Sequence, residues 1–363
     1  MAFHPSVEHP FLACGTLDGW VGLYRNLDDS EYNSGEWARR ARVDIHKGPC
    51  RAVEFVKDGL CTCGSNETNI VIIDLETQKE RVSISEAHGE ELNRLLSLDE
   101  NIFASGDEGG IVKFWDVREG NQSPISEAEP HTDYVSDMVK HGPENALLSS
   151  SGDGTLSMID LNKFTVRHTT EEDADDELLS VALVRCGKKV VCGTTSGVLN
   201  IYSWGYWNDC SDRFPGHPDS VTSIVAFDEE TILTGSSDGL IRVLNIQPNK
   251  MLGVLGEHSD FDIERIVLCP DKSCLASISH DNTTKLWNAG LLLEDDSGSD
   301  TSEEHDVDET VGGQDDESSD EEPNERNKRK KKKGKGKGEH KIPNKNQAKR
   351  SSDNSNNFFS DLL

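Results

Sequence analysis

Several features common in other protein classes are missing from this sequence of 363 residues. No run of about 18 apolar residues occurs, and the start, Met-Ala-Phe-His-Pro, lacks the basic residues and apolar stretch of a signal peptide. No glycine-rich phosphate loop, HExxH or G-x-S-x-G motif is present. We therefore expect a protein that is neither membrane-bound nor exported, and that is not an enzyme and needs no cofactor or small-molecule substrate.

The cysteines lack the C-x-x-C spacing of zinc sites, and their odd number does not suit a disulfide framework. Cys61 and Cys63 form the closest pair, and in a strand their side chains point the same way, which core packing explains as well as a metal does. We expect reduced thiols in the core, no metal site, and a nuclear or cytoplasmic location.

Positive charge is scarce, since 37 Lys and Arg residues stand against 67 Asp and Glu residues, for a net charge of −30. This balance excludes a protein that coats a nucleic acid duplex. Hydrophobic residues make up only 34% of the chain, below the roughly 45–50% of an average globular protein, so part of the chain is expected to stay unfolded.

The charge is unevenly distributed along the chain. Residues 1–293 carry a net charge of −24, residues 294–325 contain sixteen acidic residues and no Lys or Arg, and residues 326–350 contain thirteen basic residues and one acidic residue. Such blocks cannot bury enough apolar surface to offset chain entropy. We expect one folded domain, 1–293, then disordered acidic (294–325), lysine-rich (326–350) and terminal (351–363) segments.

A repeat runs through residues 1–293. A turn residue is followed six positions later by an aromatic or aliphatic residue, and successive turn residues lie 49, 42, 44, 43, 42 and 43 positions apart. The seven pairs are Asp18 and Tyr24, Glu67 and Ile73, Gly109 and Trp115, Asp153 and Ile159, Ser196 and Tyr202, Asp238 and Leu244, and Asp281 and Trp287. Short strands separated by turns at this period predict an all-β radial array.

Two of these positions resemble a known family. Trp115-Asp116 and Trp287-Asn288 are similar to the Trp-Asp dipeptide of WD-repeat propellers. Histidines 27 to 29 residues before their strand-end partners match that family's Gly-His to Trp-Asp interval: His46, His88, His131, His217 and His258. The resemblance covers residues 1–293 and implies a seven-bladed β-propeller.

In that family, buried hydrogen bonds among a His, a Ser or Thr, an Asp and a Trp side chain tie the strands of a blade together. Only the last blade matches at all four positions, with His258, Ser277, Asp281 and Trp287. Because the pattern recurs in several blades, a structural role is favoured over a hydrolase triad. The fifth blade lacks the histidine, and its acidic stretch 171–177 is expected to form a surface loop.

Closure of the ring departs from the family pattern. In the family, a strand that precedes the first blade's inner strand usually completes the last blade. Ala2-Phe3-His4 already resembles that inner strand, so we expect no upstream strand to do so here. Three alternatives remain open: Leu291–Leu293 fills the gap, the last blade has three strands, or the sequence lacks its true beginning.

Candidate interaction sites follow from the same resemblance and from charge. Trp115, Asp116 and Arg118 resemble the WDxR motif that docks some propellers onto the adaptor of cullin-RING ubiquitin ligases. The acidic propeller is expected to prefer basic proteins such as pre-ribosomal components. The aromatic residues Trp204, Tyr206 and Trp207 either anchor a partner or pack within the fifth blade.

The charged tail offers further candidates. A nuclear or nucleolar targeting signal is expected at Lys328, Arg329, Lys330, Lys331, Lys332 and Lys333, which could also contact RNA weakly and without sequence preference. Ser297, Thr301, Ser318 and Ser319 precede acidic residues as acidophilic kinase sites do, so phosphorylation would mask the basic block. The terminal Phe358-Phe359 either docks a partner or folds back onto the propeller.

Several segments resemble more closely a nucleolar subgroup of the WD-repeat family: 46–55, 87–89, 98–102, 211–214 and 234–242. This resemblance implies a non-enzymatic scaffold in the nucleus and nucleolus that supports ribosomal RNA production and large-subunit biogenesis. The alternative is a substrate receptor of a cullin-RING ligase.

Overall fold

The computed structural model describes residues 1–6, 11–26, 37–57, 59–64, 68–118, 123–171, 176–259 and 261–294. The turn residue Glu67, the tail from residue 295 onward, its lysine block and its four candidate phosphorylation sites lie outside these residues. Within them the protein is all-β, in seven antiparallel sheets. No described helix is long and apolar enough to cross a membrane.

The first three sheets are four-stranded. Sheet one contains β1 (Ala2–Phe3), β2 (Phe11–Gly15), β3 (Trp20–Asn26) and β4 (Trp37–Asp44). Sheet two contains β5 (Cys50–Val56), β6 (Gly59–Gly64), β7 (Ile70–Asp74) and β8 (Glu80–Ile84). Sheet three contains β9 (Leu92–Ser97), β10 (Ile102–Asp107), β11 (Val112–Asp116) and β12 (Ser126–Ala128).

Sheets four to six repeat this arrangement. Sheet four contains β13 (Val135–His141), β14 (Ala146–Ser151), β15 (Leu156–Asp160) and β16 (Thr165–Thr169). Sheet five contains β17 (Leu178–Val184), β18 (Lys189–Thr194), β19 (Val198–Ser203) and β20 (Asp212–Pro215). Sheet six contains β21 (Val221–Ala226), β22 (Thr231–Ser236), β23 (Leu240–Asn245) and β24 (Lys250–Glu257).

Sheet seven has three strands within the described residues: β25 (Ile263–Leu268), β26 (Cys274–Ser279) and β27 (Thr284–Asn288). Leu291–Glu294 form a short helix, α1, so they do not supply a fourth strand. The side chains of β27 are partly or fully exposed, whereas the third strands of the other blades are largely buried. Within the described residues the last blade therefore has three strands, and Leu291–Leu293 do not complete it.

The core lies between neighbouring blades. One hydrophobic cluster joins Val56 and Ile70 of blade two to Leu92 and Phe103 of blade three. Comparable clusters join the later blades, and the first strands of successive blades lie next to one another. The fold is the seven-bladed β-propeller that the repeats predict.

All nine cysteines are free thiols, and six of them are buried. Burial raises the pKa of Cys14 to about 11 and that of Cys63 to about 12. These thiols therefore pack as small apolar side chains rather than as reactive groups. Among residues with described positions, no three His, Cys, Asp or Glu side chains form a metal-binding group.

Candidate functional site

The hydrogen-bond network of blade seven joins four side chains. Nε2 of His258 lies 2.6 Å from Oγ of Ser277, and its Nδ1 lies 2.9 Å from Oδ2 of Asp281. Trp287 donates from Nε1 to the same serine oxygen at 2.8 Å. Burial opposes charge on Asp281, but hydrogen bonds from Thr283 and His258 lower the pKa of this carboxyl to about 2. The network therefore ties β26, β27 and the turn between them to the connection that precedes β25.

Blade three has an equivalent network, so the expectation that only blade seven is complete is wrong. His88 lies 2.6 Å from Oγ of Ser105 and 2.7 Å from Oδ2 of Asp107, and Trp115 donates to Ser105 at 2.8 Å. Asp107 comes two residues before Gly109, the turn position of the repeat. Asp107 is the last residue of β10, so its carboxylate reaches His88 from the end of the strand rather than from the turn.

Blades four and six carry modified networks. In blade four, His131 bonds Ser149 at 2.7 Å and Thr155 at 2.8 Å, and Asp153 lies farther away, at 3.6 Å. In blade six, His217 bonds Thr234 at 2.8 Å, but Asp238 pairs with Arg242.

Blade five has no histidine in this position. Asp176, from the connection before β17, instead accepts hydrogen bonds from Thr195 and from the backbone and side chain of Ser196. Residues 172–175 of the acidic stretch lie outside the described part of the chain.

These networks are structural rather than catalytic. Ser105 and Ser277 are fully buried, and each hydroxyl contacts both an imidazole and an indole N–H. A hydrolase serine needs room for a substrate carbonyl beside it. The arrangement therefore holds strands together and leaves the propeller surfaces as candidate binding sites.

The WDxR residues lie at the end of β11. Trp115 is buried and belongs to the network of blade three. Arg118 is 64% exposed and is held by Asp116, with Nη2 2.5 Å from Oδ2 and Nε 2.9 Å from Oδ1. The guanidinium is therefore presented at the surface in a fixed orientation.

The aromatic residues of blade five divide between packing and exposure. Trp204 stacks on His141 with 3.6 Å between ring centroids, and Trp207 is buried. Tyr206 is 78% exposed at the tip of the same turn. The sequence left packing and partner contact open for these residues, and the two tryptophans pack.

The two faces of the propeller differ in charge. We call the face formed by the connections between blades and by the turns between second and third strands the mouth face. Its described residues include fifteen Asp and Glu side chains and one lysine, Lys47. The described connections of the opposite face contain nine acidic and seven basic side chains. The net charge of the whole sequence does not show this asymmetry, because the segments that form the two faces alternate along the chain.

The fold and its repeated networks define a WD-repeat β-propeller. The profile of the WDR55 family matches residues 1–292. WD repeat-containing protein 55 of Arabidopsis thaliana is 40% identical over 294 residues, which cover 80% of this chain and 80% of the relative.

The human protein of that name is 34% identical, covering 80% of this chain and 74% of its own length. WD repeat-containing protein JIP5 of Cryptococcus neoformans is 34% identical over 304 residues, covering 81% and 80%. The chain belongs to the WDR55 family.

Proposed function

We propose that this protein is a non-enzymatic scaffold of the nucleus and nucleolus that supports ribosomal RNA production and the assembly of the large ribosomal subunit. The observation that carries the proposal is membership of the WDR55 family, together with the close resemblance of several segments to nucleolar WD-repeat proteins. WD-repeat propellers commonly bind proteins, and the acidic mouth face suits basic partners such as pre-ribosomal components.

In this proposal the lysine block directs the protein to the nucleolus. Lys328–Lys333 would act as the targeting signal and could contact RNA phosphates weakly and without sequence preference. Phosphorylation of Ser297, Thr301, Ser318 and Ser319 would add negative charge beside the block and weaken both effects.

The test is a fluorescent fusion of the full chain in which all six residues 328–333 are changed to glutamine. We expect loss of nucleolar signal and loss of co-sedimentation with pre-ribosomal particles. The matched control neutralises six exposed lysines of the propeller: Lys47, Lys57, Lys79, Lys163, Lys188 and Lys250. The proposal would be contradicted by a wild-type chain that neither enters the nucleolus nor co-sediments with these particles.

A second candidate function is that of a substrate receptor in a cullin-RING ligase. It is favoured by the exposed guanidinium of Arg118, which Asp116 holds in place. Arg118→Ala should abolish co-precipitation of the ligase adaptor without lowering the melting temperature. The control is Arg167→Ala, which removes a similar ion pair with Asp160 in blade four. Adaptor binding that survives Arg118→Ala rejects this function.

A further inference from the structure

A cavity of about 390 Å³ lies at the centre of the mouth face. The first strands of blades two to seven contribute residues near their starts, so six of the seven blades meet around it. Its apolar wall includes Val135 and Leu179, and its polar wall includes Asn93 and Thr222. A concave site with mixed lining at the convergence of many strands is the usual form of a ligand pocket.

One arginine in this cavity has unused hydrogen-bond donors. Nε of Arg94 donates to the carbonyl of Ser136 and lies 3.7 Å from Oδ1 of Asp137. The same carboxylate oxygen accepts a hydrogen bond from Arg265 of blade seven, at 2.9 Å. The two terminal nitrogens of Arg94 have no hydrogen-bonding partner among the described residues. They are therefore positioned to donate to carbonyl oxygens of a ligand.

The acidic groups that line the cavity differ in their partners. Glu108 is paired with Arg51 at 3.1 Å. Glu264 is exposed, and its described ion-pair partner is His280, at 3.3 Å on the rim. Of the two carboxylates that line the cavity, Glu264 is therefore the one that forms no ion pair with a lysine or arginine among the described residues. Around it lies the strongly acidic mouth face, which attracts a cationic ligand and repels phosphate.

We propose that the mouth cavity binds an extended lysine- or arginine-rich segment of a partner protein. A cationic side chain of that segment pairs with Glu264, and main-chain carbonyl oxygens accept hydrogen bonds from the terminal nitrogens of Arg94. Leu179 and Val135 contact the aliphatic part of the cationic side chain. This inference rests on the proposed scaffold function and names the site and chemical class of its partner.

The test uses the full chain and a short fluorescent peptide of alternating lysine and glycine, followed by fluorescence anisotropy. The same peptide with glutamate at every lysine is the ligand control. Glu264→Lys should weaken binding about tenfold or more, because it places like charges together at the contact. The matched control, Glu100→Lys, makes the same charge change in a turn of the opposite face and should change affinity less than about twofold.

A second variant tests the cavity itself. Leu179→Trp fills the space without changing charge and should also weaken binding about tenfold, while circular dichroism verifies that the chain stays folded. Absence of saturable binding to the lysine peptide overturns the proposal. So does equal weakening by Glu264→Lys and Glu100→Lys, which would mean diffuse attraction to the whole acidic protein.

The outcome is separable from that of the proposed function. Failure of the peptide to bind, with wild-type chain still co-sedimenting with pre-ribosomal particles, overturns the cavity proposal and leaves the scaffold function standing. Saturable binding that depends on Glu264, without co-sedimentation, supports the cavity and contradicts the nucleolar function.

Discussion

Arg242 and Asp238 form a largely buried ion pair in blade six, with 2.5 Å between Nη2 and Oδ2. The equivalent turn carboxylate of blade seven, Asp281, is contacted by a histidine instead. Nδ1 of His217 consequently has no hydrogen-bonding partner among the described residues. Burial, assisted by Arg242 nearby, lowers the pKa of His217 to about 4. Blade six therefore replaces a histidine–carboxylate contact by an arginine–carboxylate contact.

Removal of this arginine should destabilise the propeller. Arg242→Met leaves Asp238 without its cation, and breaking a buried pair in this way costs about 3–5 kcal/mol, less here because Asp238 is partly exposed. We expect a loss of about 2–3 kcal/mol at pH 7, measured by chemical denaturation. Arg242→Lys, which keeps the charge, should lose less. Equal stability of Arg242→Met and wild type would contradict this account.

The same variant should change the acid sensitivity of the protein. Burial opposes ionisation of Asp238, but hydrogen bonds from Arg242 and Ser236 lower its pKa to about 2, from an ordinary value of 3.8. A lowered carboxyl pKa stabilises the fold above pH 3.8, and this contribution is lost as the pH falls towards 2. The stability difference between wild type and Arg242→Met should therefore shrink across that window. A difference that stays constant from pH 5 to pH 2 would show that Asp238 does not titrate there.

How far the sequence predicts the structure depends on whether a feature repeats. The turn and strand-end positions recur in phase, so they predict the number of blades. The resemblance to WD-repeat propellers predicts the contacts of His258 with Ser277 and Asp281. Asp107 lies at the end of β10, two positions before the turn residue of the repeat, so a search at the period of the repeat does not find it. Arg242 likewise occupies an ordinary strand position until the structure places it against Asp238.

The mouth cavity is invisible in the sequence for a different reason. Asp137 and Arg265 are 128 residues apart and meet only because the ring closes. Their positions carry no shared motif, and Arg94 is likewise an isolated charge in a short strand. Closure of a ring brings the first strands of distant blades together, and a pattern read along the chain cannot record that contact.

Ser105 should be a sensitive position in blade three. Ser105→Ala removes the oxygen that His88 and Trp115 both contact, and it leaves two buried polar groups without that partner. Each unsatisfied group costs about 1–3 kcal/mol, so we expect a loss of about 3 kcal/mol in unfolding free energy. Thermal and urea denaturation measure it. The control is Ser85→Ala at an exposed position, which should stay within about 0.5 kcal/mol of wild type.

Glu54 should make stability depend on pH near neutrality. Burial raises the pKa of its carboxyl to about 7, although Arg265 favours the charged form. A raised pKa stabilises the fold fully below the ordinary value of 4.5, and this contribution is lost as the pH rises through 7. Glu54→Gln should therefore gain stability relative to wild type between pH 5 and pH 8, on the order of 3 kcal/mol. A wild-type-to-variant difference that is the same at both pH values would contradict the raised pKa.

Two glycines of β24 should respond oppositely to the same substitution. A Cβ on Gly256 would lie 2.3 Å from the Trp287 ring, whereas a Cβ on Gly253 meets nothing within 4 Å. Gly256→Ala should displace an indole that also donates to Ser277, and overpacking of this kind costs about 1–3 kcal/mol. Gly253→Ala should be neutral or slightly stabilising because it restricts the unfolded chain. Melting temperatures of the two variants test this, and equal values would mean that β24 does not pack on Trp287.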